Sequence, residues 1–592
     1  MRARSVSGGV TVQAIAGSNG VFLGFDLDQG LLAGCLGFAI YRTDHTEDEA
    51  YWLSGFKTFR SVVPVPDPTQ MYLSDSYPVQ SFWWGDYSAK PAHDYTYRVV
   101  PRYGTPGSLT SQDGVEATVS VGTSNPDIGT HGIYFNRGVA ASQAYVRKFG
   151  AKPADLPEPQ RTAAMAWLSR GLDEALLAFI GQAAAPANAL RAAVFEFTEP
   201  GALAAFQAAH VAGADVQVVY HAKDDETGHA NEQAIAASGI DRAILVPRTH
   251  PQLAHNKFIV YATKAADGAV TPVSVWTGST NLSVGGIFGH SNVGHAVRDA
   301  AIAAQYLPYW TELATDPQVR DLRTWMGGNN VFDVAAVSAA GVRTVFSPRS
   351  GLAPLNWYAQ QFTGAPQHAA HITLPFGLTT VFEQELEAYQ GQALHFLMLD
   401  SPDNNQAQWE NLPGVLVAVG ATGGPDDLST WAQETLTGFN VHVPFLHTKI
   451  ILVDPLSADP TVISGSANFS PDSTDANDEN MLVIRGNTHV ADVYFTEYAR
   501  IFQHFYARWW ASQIAAAQHA PDSGFLAEDT TWQTSYLTDG NNKLRQRLLF
   551  ATGVGGNVPA APADPPPAGP PPAGPPPAGP PADTPATPAP PS

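Results

Sequence analysis

Hydrophobic and polar positions alternate in two different ways along this chain. Up to about Val121, short apolar alternations are separated by clusters of Gly, Pro, Asp and Ser, a pattern typical of an all-β sandwich. Beyond Pro126, strand-like apolar runs alternate with Ala-rich helical stretches such as 160–182 and 201–213. This second pattern predicts a layered α/β region that extends to about Trp510.

Residues 559–592 have a third character, since proline and alanine dominate and Ala-Gly-Pro-Pro-Pro recurs. Such a composition cannot bury a core and predicts a disordered, extended polyproline II tail. A solvated tail is the simplest interpretation, while a spacer, a stalk and a ligand for a proline-recognising partner stay open.

Length and charge limit the classes of function. A chain of 592 residues is too long for one core and predicts three to five units of about 100 to 200 residues each. The formal net charge of −22 repels polyanions, so no stable nucleic-acid partner is expected and an anionic substrate needs a local basic pocket. Cys35 is the sole cysteine, which excludes an intrachain disulfide and a thiolate metal cluster.

Targeting signals are not evident in the sequence. The N-terminus lacks the sustained apolar run of a secretory signal, and no 18 apolar residues occur together. We therefore expect a soluble protein, cytoplasmic by default, with export by another route left open.

The strand-like segment 94–100, Asp-Tyr-Thr-Tyr-Arg-Val-Val, resembles the F strand of a fibronectin type III or related immunoglobulin-like domain, with one tyrosine at the corner position. The resemblance implies a β-sandwich over residues 1–125, to which we assign no chemistry.

Two segments of the α/β region, 250–298 and 442–485, are similar to each other. Each begins with His-x4-His-x-Lys, continues with Gly-Ser-x-Asn, and reaches an arginine 20 residues beyond that glycine. The matching residues are His250, His255, Lys257, Gly278, Ser279, Asn281 and Arg298 in the first segment, and His442, His447, Lys449, Gly465, Ser466, Asn468 and Arg485 in the second.

The two segments differ in the connection between their motifs. His255 lies 23 residues before its glycine and His447 lies 18 before its own, so the first segment carries five extra residues. We expect these residues in the turn at 264–268. Phe135-Asn-Arg and Phe346-Ser-Pro-Arg open corresponding segments further upstream, which extends the repeat to two complete halves.

Each His-x-Lys precedes an apolar, β-rich run, so both motifs are predicted to lie at the beginning of a buried strand. Alternate strand residues face the same side, and Ser-x-Asn on a neighbouring strand would add a hydroxyl and an amide to that face. Phosphoryl transfer needs a nucleophile, a proton donor and positive charge around the equatorial oxygens. Two such halves, with their histidines on opposite sides of phosphorus, meet these needs without a metal.

His-x-Lys-x4-Asp followed by Gly-Ser-x-Asn resembles the signature of the phospholipase D superfamily, and the second half has it whole, with Asp454 as the aspartate. The resemblance covers 128–515. It implies a covalent phosphohistidine intermediate, release of an alcohol, and then attack by water or another alcohol. The aspartate is implied to be structural support.

The first half departs from the signature at two positions. Ala262 replaces the aspartate, and Asn292 occupies the place that Glu479 has in the second half, eleven residues after the motif asparagine. In the family a carboxylate near this place orients the catalytic histidine. If each group bonds the histidine of its own half, Glu479 would raise the pKa of His447, whereas Asn292 would only fix a tautomer of His255. On that condition His255 suits the nucleophile and His447 the general acid.

The predicted site therefore has three groups of residues. The catalytic set is His255, Lys257, His447, Lys449, Asn281, Asn468, Glu479 and Asn292; the substrate-binding set is Ser279, Ser466, His250 and His442; and Asp454 is the structural support. Four converging histidines could bind a transition metal, but two adjacent lysines would repel a divalent cation, so we expect neither a metal nor another cofactor.

The predicted fold class is α/β, a duplicated phospholipase D-like α/β sandwich with pseudo-twofold symmetry, preceded by an all-β sandwich and followed by a disordered Pro-rich tail. The predicted units are 1–125, 128–330, 331–515, a C-terminal extension 516–558, and the tail 559–592.

The predicted function is metal-independent hydrolysis of a phosphodiester, with phospholipid as first choice and transient contact with a membrane or micelle. The alternatives are a nuclease or another phosphodiesterase of the superfamily, or a catalytically weak binding or structural protein in which Ala262 and Asn292 are traces of decay.

Overall fold

The computed structural model describes residues 1–67, 70–138, 142–403, 405–420, 445–516 and 524–553. The predicted Pro-rich tail and His442 lie outside these residues.

The N-terminal region is a sandwich of two antiparallel sheets, as predicted. One sheet has the strand order β1-β2-β3-β9 and the other β11-β10-β4-β5, with β12 also pairing β10. Residues of both sheets, such as Phe25 and Ile40, share one buried core. The strands of this region are β1 (Arg2–Ser7), β2 (Val10–Ala16), β3 (Val21–Leu27), β4 (Gly37–Asp44), β5 (Glu49–Trp52), β6 (Ser54–Gly55), β7 (Thr58–Phe59), β8 (Tyr72–Leu73), β9 (Trp83–Asp86), β10 (Asp94–Thr105), β11 (Ser108–Thr110) and β12 (Ala117–Gly122).

The corner tyrosine of the sandwich is Tyr95, at the start of β10. Its hydroxyl accepts a hydrogen bond from the backbone N–H of Lys90, 2.9 Å away and five residues upstream. This is the contact that the F-strand resemblance implies. Tyr97 is also buried, and its hydroxyl donates to Asp86.

Two seven-stranded sheets follow, and they have the same topology. The first has the order β13-β19-β18-β17-β14-β15-β16, and the second the order β20-β26-β25-β24-β21-β22-β23, so each strand has its counterpart seven strands later. The first sheet comprises β13 (His131–Phe135), β14 (Asn188–Val194), β15 (Asp215–His221), β16 (Leu245–Arg248), β17 (Lys257–Lys264), β18 (Val270–Gly278) and β19 (Val293–Val297). The second comprises β20 (Gly341–Ser347), β21 (Ala369–Leu374), β22 (Leu394–Leu399), β23 (Val415–Val419), β24 (Ile450–Val453), β25 (Thr461–Gly465) and β26 (Glu479–Arg485).

Helices cover both sheets and also lie between them. Alternate residues of β17 show this layering, because Phe258 packs in the core shared by the two sheets while Ile259 packs against the outer helices. The helices are α1 (Ser142–Phe149), α2 (Gln160–Ser169), α3 (Leu172–Gly181), α4 (Pro200–Val211), α5 (Glu226–Ser238), α6 (Ala300–Leu313), α7 (Val319–Asn329), α8 (Val334–Val337), α9 (Ala353–Thr363), α10 (Thr380–Ala388), α11 (Gln406–Glu410), α12 (Pro471–Asp475), α13 (Thr488–Ala516), α14 (Thr534–Leu537) and α15 (Asn542–Thr552).

The two large sheets meet around α6 and α13. Tyr306 and Tyr309 of α6 and Tyr494 and Tyr498 of α13 belong to the core that both sheets share. These two helices pack between the sheets, so the ends of the central strands that carry the repeated motifs are held in one rigid frame.

The five extra residues of the first half do not lie in the turn, where we expected them. The turn between β17 and β18 is shorter than the one between β24 and β25, and the strands of the first hairpin are longer instead. Ala262 is therefore a mid-strand residue paired with Ala189 of β14. A carboxylate at this mid-strand position would be buried away from water, which explains why the first half lacks the motif aspartate.

Asp454, by contrast, follows the last residue of its strand. It adopts a left-handed conformation, with φ of 44°, and its carboxylate accepts hydrogen bonds from the backbone N–H groups of Gln367, His368 and Ala369 at 2.8, 2.8 and 2.9 Å. These donors lead into β21. Asp454 thus fixes the start of β21 to the end of β24.

The segment 524–553 returns to the N-terminal sandwich. β27 (Phe525–Leu526) pairs in parallel with β7, and the Trp532 indole N–H donates to the carbonyl of Cys35. Arg547 of α15 forms an ion pair with Asp26 of β3 and lies over the ring of Phe82. The sandwich is thereby held to the rest of the molecule by the far end of the described chain.

Replacing Asp454 with alanine is expected to destabilise the second half by about 3 kcal/mol, because three backbone donors lose a charged acceptor. Amide hydrogen exchange should become faster at 367–369, measured by mass spectrometry, and the thermal midpoint should fall. Asp459→Ala is the matched control, since its ion pair with Arg485 is exposed and is worth at most about 1 kcal/mol. Equal exchange rates in the two variants would contradict this role.

Candidate active site

The two His-x-Lys motifs occupy equivalent places in the two sheets. Lys257 is the first residue of β17, and Lys449 immediately precedes β24. In both halves the lysine Nζ donates to the backbone carbonyl of the histidine two residues earlier, at 2.7 Å. All four side chains are buried. The predicted position at the beginning of a buried strand is therefore what the structure has.

The glycine of each Gly-Ser-x-Asn motif ends a strand where two strands approach closely. A Cβ on Gly278 would lie 2.2 Å from the carbonyl oxygen of Val293, and one on Gly465 would lie 2.2 Å from that of Asn480. Only glycine fits without displacing the neighbouring strand. The serine and asparagine that follow lie beyond the strand end in both halves, and not on the strand as we expected.

The groups that hold the histidines cross between the halves. His255 Nδ1 lies 2.9 Å from both carboxylate oxygens of Glu479, which belongs to the second half. His447 Nδ1 lies 3.0 Å from Oδ1 of Asn292, which belongs to the first half. The expectation that each group bonds the histidine of its own half is therefore wrong. Because the two catalytic roles were assigned on that condition, the original reason for assigning them is lost.

Backbone hydrogen bonds at the boundary explain the exchange. Ser291 N–H donates to the carbonyl of Phe445 at 2.9 Å, and Asp478 N–H donates to the carbonyl of Leu253 at 3.0 Å. Ser291 and Asp478 directly precede the two holding groups, whereas Phe445 and Leu253 lie two residues before the two histidines. These equivalent bonds bring each holding group next to the histidine of the opposite half.

The serines of the Gly-Ser-x-Asn motifs donate hydrogen bonds to Asn292 and Glu479, the two groups that hold the histidines. Ser279 Oγ donates to Asn292 Oδ1 at 2.8 Å, and Ser466 Oγ donates to Glu479 Oε2 at 2.5 Å. Asn292 Nδ2 in turn donates to the carbonyl of Gly286, so its Oδ1 faces the imidazole. Both histidines consequently donate through Nδ1, which leaves Nε2 of each ring for chemistry. We had expected the serines to bind substrate. Their hydroxyl groups instead donate to Asn292 and Glu479, which in turn bond the histidines.

Burial dominates the acid–base properties of the site, and the charged neighbours then distinguish the two imidazoles. Burial lowers the pKa of His255 to about 4, and the Glu479 carboxylate opposes this shift. Burial also lowers the pKa of His447 well below its usual range, and its charged neighbours, Lys449 first, lower it further. Glu479 therefore makes His255 the imidazole that more readily accepts positive charge.

The two motif lysines are buried close enough to each other for their charges to interact. Burial lowers the pKa of Lys257 to about 8, and it lowers that of Lys449 well below the usual range, with Lys257 adding to the effect. Their mutual repulsion in a buried place is relieved by an anion bound between them.

Asn281 and Asn468 each lie two residues after the motif serine. Among the residues that the structure describes, the side-chain oxygens of both are buried and have no hydrogen-bond partner. Buried acceptors of this kind are uncommon and call for an explanation, such as a bound group.

His250 is separate from this site. Its imidazole is exposed and forms an ion pair with Asp316 at 2.9 Å. Its predicted counterpart, His442, lies outside the described residues, so the structure offers no comparison between them.

Several neighbours of the histidines were not identified from the sequence. The ring of Phe195 lies 4.8 Å from that of His255, and the ring of His290 lies 4.7 Å from that of His447. Neither residue belongs to a repeated motif, so the search for self-similarity could not find them.

Two further residues hold the loops that carry the histidines. His221 Nδ1 accepts from the N–H of Ala254 at 3.2 Å, and Asp400 accepts from the N–H groups of Phe445 and Leu446 at 2.9 and 2.7 Å. His221 ends β15, and Asp400 directly follows the equivalent strand β22. Their side chains differ in type, which is why the repeat did not reveal them.

A family model described as the PLD-like domain of cardiolipin synthase matches residues 424–506, which include the second His-x-Lys and Gly-Ser-x-Asn motifs. The first half repeats both the motifs and the sheet topology. The second half therefore resembles a PLD-like domain over residues 424–506, and the first half shares its topology. Members of the phospholipase D superfamily are phosphodiesterases and transferases.

Several solved structures overlap this chain in part, one of them, Nuc, described as a phospholipase D family member. Phosphatidylserine synthase from Haemophilus influenzae is 12% identical, with 57% of this chain and 85% of that chain covered, at a TM-score of 0.39. Nuc from Salmonella typhimurium is 23% identical, with 24% and 86% covered, at 0.20. A polyphosphate kinase from Porphyromonas gingivalis is 13% identical, with 54% of this chain and 46% of the kinase covered, at 0.36. A search of curated protein sequences finds no match.

Because Glu479 holds His255 and Asn292 holds His447, the pKa values of the two imidazoles should respond differently to changes at Glu479. Glu479→Gln is expected to lower the pKa of His255 further, because the carboxylate that opposes the effect of burial is lost, whereas the hydrogen bond of His447 to Asn292 is kept. A pH titration of the imidazole nitrogens by NMR measures both rings. Ser466→Ala, which keeps the carboxylate, is the control, and a larger change at His447 than at His255 would refute the crossed arrangement.

Proposed function

We propose that this chain hydrolyses a phosphodiester through a covalent phosphohistidine on His255, with His447 as general acid and then base. The observation that carries the proposal is a pair of buried imidazoles from equivalent hairpins, each held through Nδ1 and each accompanied by a buried lysine. Phosphoryl transfer needs these groups, and little else from the protein.

In the first step His255 Nε2 attacks phosphorus, and the bond from phosphorus to the leaving oxygen breaks. The attacking ring becomes cationic, and the Glu479 carboxylate on its Nδ1–H stabilises that charge, as the aspartate does for histidine in a serine protease triad. His447 gives its Nε2 proton to the leaving oxygen, which departs as an alcohol. The bound phosphodiester anion favours the protonated form of His447, whose pKa is otherwise low.

In the second step His447 Nε2 accepts a proton from water, whose oxygen attacks phosphorus. The bond between phosphorus and His255 breaks, and a phosphomonoester is released. Lys257 and Lys449 stabilise the negative charge on the equatorial oxygens in both steps, and we assign Asn281 and Asn468 to the same oxygens as positioning partners. We expected the same roles for the two histidines from their sequence context, but on a condition that the crossed hydrogen bonds of Glu479 and Asn292 contradict.

Phospholipid is the substrate class that we favour. The family model that matches residues 424–506 is described as the PLD-like domain of cardiolipin synthase, a name that points to a lipid substrate. The net charge of −22 weighs against a polynucleotide, which needs an extended basic track. Among the described residues no helix is long and apolar enough to cross a membrane.

Metal independence is part of the proposal. Within the described ranges, no group of three or more His, Cys, Asp or Glu side chains is arranged to hold a metal ion. The lysine ammonium groups supply the positive charge that a metal would otherwise contribute.

The rival interpretation, a catalytically weak binding protein, rested on Ala262 and Asn292 as traces of decay. The structure gives both residues a local reason, since Ala262 is inside a longer strand and Asn292 holds His447. These two departures therefore no longer favour loss of activity.

The basic activity can be measured with bis(p-nitrophenyl) phosphate in EDTA. Turnover is expected to survive chelation and to fall by at least about 10³-fold in His255→Asn and His447→Asn, because each variant removes a reacting group. His250→Asn is the matched control and should retain activity, since that histidine lies on the surface. Equal residual activity in all three variants would refute the assignment of the site.

The order of the two histidines can be tested by trapping the intermediate. With an activated leaving group that needs no proton, His447→Asn is expected to accumulate a phosphoryl adduct on His255, detected by mass spectrometry of the intact protein and its peptides. His255→Asn should form no adduct. An adduct on His447 in the second variant would reverse the roles.

The substrate class is tested by two assays on the same preparation. Choline release from phosphatidylcholine vesicles is expected to exceed plasmid nicking, and both should vanish in His255→Asn. Nicking without choline release would favour the nuclease alternative.

A further inference from the structure

A large cleft lies outside the active site, between the N-terminal sandwich, helix α13 and the C-terminal segment. Its volume is 1670 Å³, larger than a typical small-molecule site. None of the histidines and lysines of the phospholipase D motifs lines it. Phe525 and Leu526 of β27 and the side chain of Trp532 line part of the cleft.

Two ammonium groups in this cleft have no counter-ion among the residues that the structure describes. Lys57 lies between β6 and β7, and Lys543 lies in the first turn of α15, and both line the cleft. Both side chains are exposed, and partial desolvation by the cleft walls lowers the pKa of both lysines, while the charge of Lys543 lowers that of Lys57 further. Within the part of the chain that the structure describes, neither forms an ion pair, although the protein has 54 acidic residues against 32 basic ones.

The carboxylates that line the cleft have other partners. Asp86 pairs with Arg42 and accepts from Tyr97, while Glu528 accepts from the N–H of Ser61 and Asp529 accepts from the N–H of Thr531. The unpaired positive charge of the two lysines is therefore available to a ligand.

Aromatic side chains form much of the wall around these charges. Trp83, Trp84 and Trp532 line the cleft, and Tyr536 lies beneath the Lys543 ammonium, 5.2 Å from Nζ to the ring centroid. Such walls bind an apolar or aromatic group, and the two cations bind its charged end.

We propose that this cleft is a second ligand site, which binds a phosphomonoester dianion attached to an apolar or aromatic group. Two ammonium groups that line one cleft match a doubly charged oxyanion, whereas a single carboxylate would leave one charge uncompensated. Free organic phosphates and the headgroup of phosphatidic acid share this chemistry. The site is independent of the proposed hydrolysis, because it uses none of the same residues.

Calorimetric titration of the full chain with phenyl phosphate tests the proposal, with Lys57→Met, Lys543→Met and the double variant. Each substitution is expected to weaken one binding event about tenfold or more, since a charge-assisted contact is lost. Lys90→Met is the matched control, because that lysine pairs with Glu47 on the same sandwich and does not line the cleft. Lys57→Arg should keep binding. Hydrolysis of bis(p-nitrophenyl) phosphate should be unchanged in all of these variants.

Lysine acylation followed by mass spectrometry provides a measurement that needs no variant. Lys57 and Lys543 should acylate readily in the free protein, because a lowered pKa leaves more of the neutral amine, and phenyl phosphate should protect them but not Lys90. Vesicles containing phosphatidic acid form a second arm, in which protection would identify a lipid headgroup as a ligand. Absence of binding by the wild type, full binding by the double variant, or acylation unaffected by phenyl phosphate would each overturn the proposal.

Discussion

The exchange of hydrogen-bond partners across the boundary between the two halves is the constraint on which the site depends. His255 is held by Glu479 and His447 by Asn292, so neither half can orient its own imidazole. Correct geometry therefore requires that the two sheets be docked. The core around α6 and α13 fixes that docking, and a buried ion pair between Arg248 and Asp478 spans the same boundary. Removing one member of such a pair would leave a buried charge uncompensated, so the pair resists separation of the halves.

Much of this arrangement was predictable, because the two duplicated halves carry the same motifs. The spacing of His-x-Lys and Gly-Ser-x-Asn identified both hairpins, and the alternation of apolar runs gave the fold class. The crossing was not predictable, since sequence distance places Glu479 nearer to His447, and only the three-dimensional relation between the halves decides which imidazole it meets. The same limitation applies to His221 and Asp400, which occupy equivalent places with unlike side chains.

Local hairpin geometry accounts for a departure that looked like decay. In the second half the strand ends at Val453, and Asp454 turns away to hold three backbone donors. In the first half the strand continues past Ala262, which is a buried mid-strand residue. A pattern of identical positions cannot show this difference, because the extra residues lengthen the strands rather than the turn. The departure reflects a change in local structure, and the His-x-Lys motifs are placed equivalently in both halves.

The remaining asymmetry of the site has an electrostatic logic. Glu479 and Asn292 make the same hydrogen bond to the same nitrogen, but only one of them is charged. A carboxylate at both positions would add a second negative charge beside the place where a phosphodiester anion binds, and so would weaken its attraction to Lys257 and Lys449. The Asn292 amide makes the same hydrogen bond and fixes the same tautomer of His447 without adding a negative charge. The single carboxylate is then best used where positive charge develops, which in our proposal is the imidazole that carries the phosphoryl group. One substitution in a symmetric scaffold is thus enough to make two equivalent histidines chemically different.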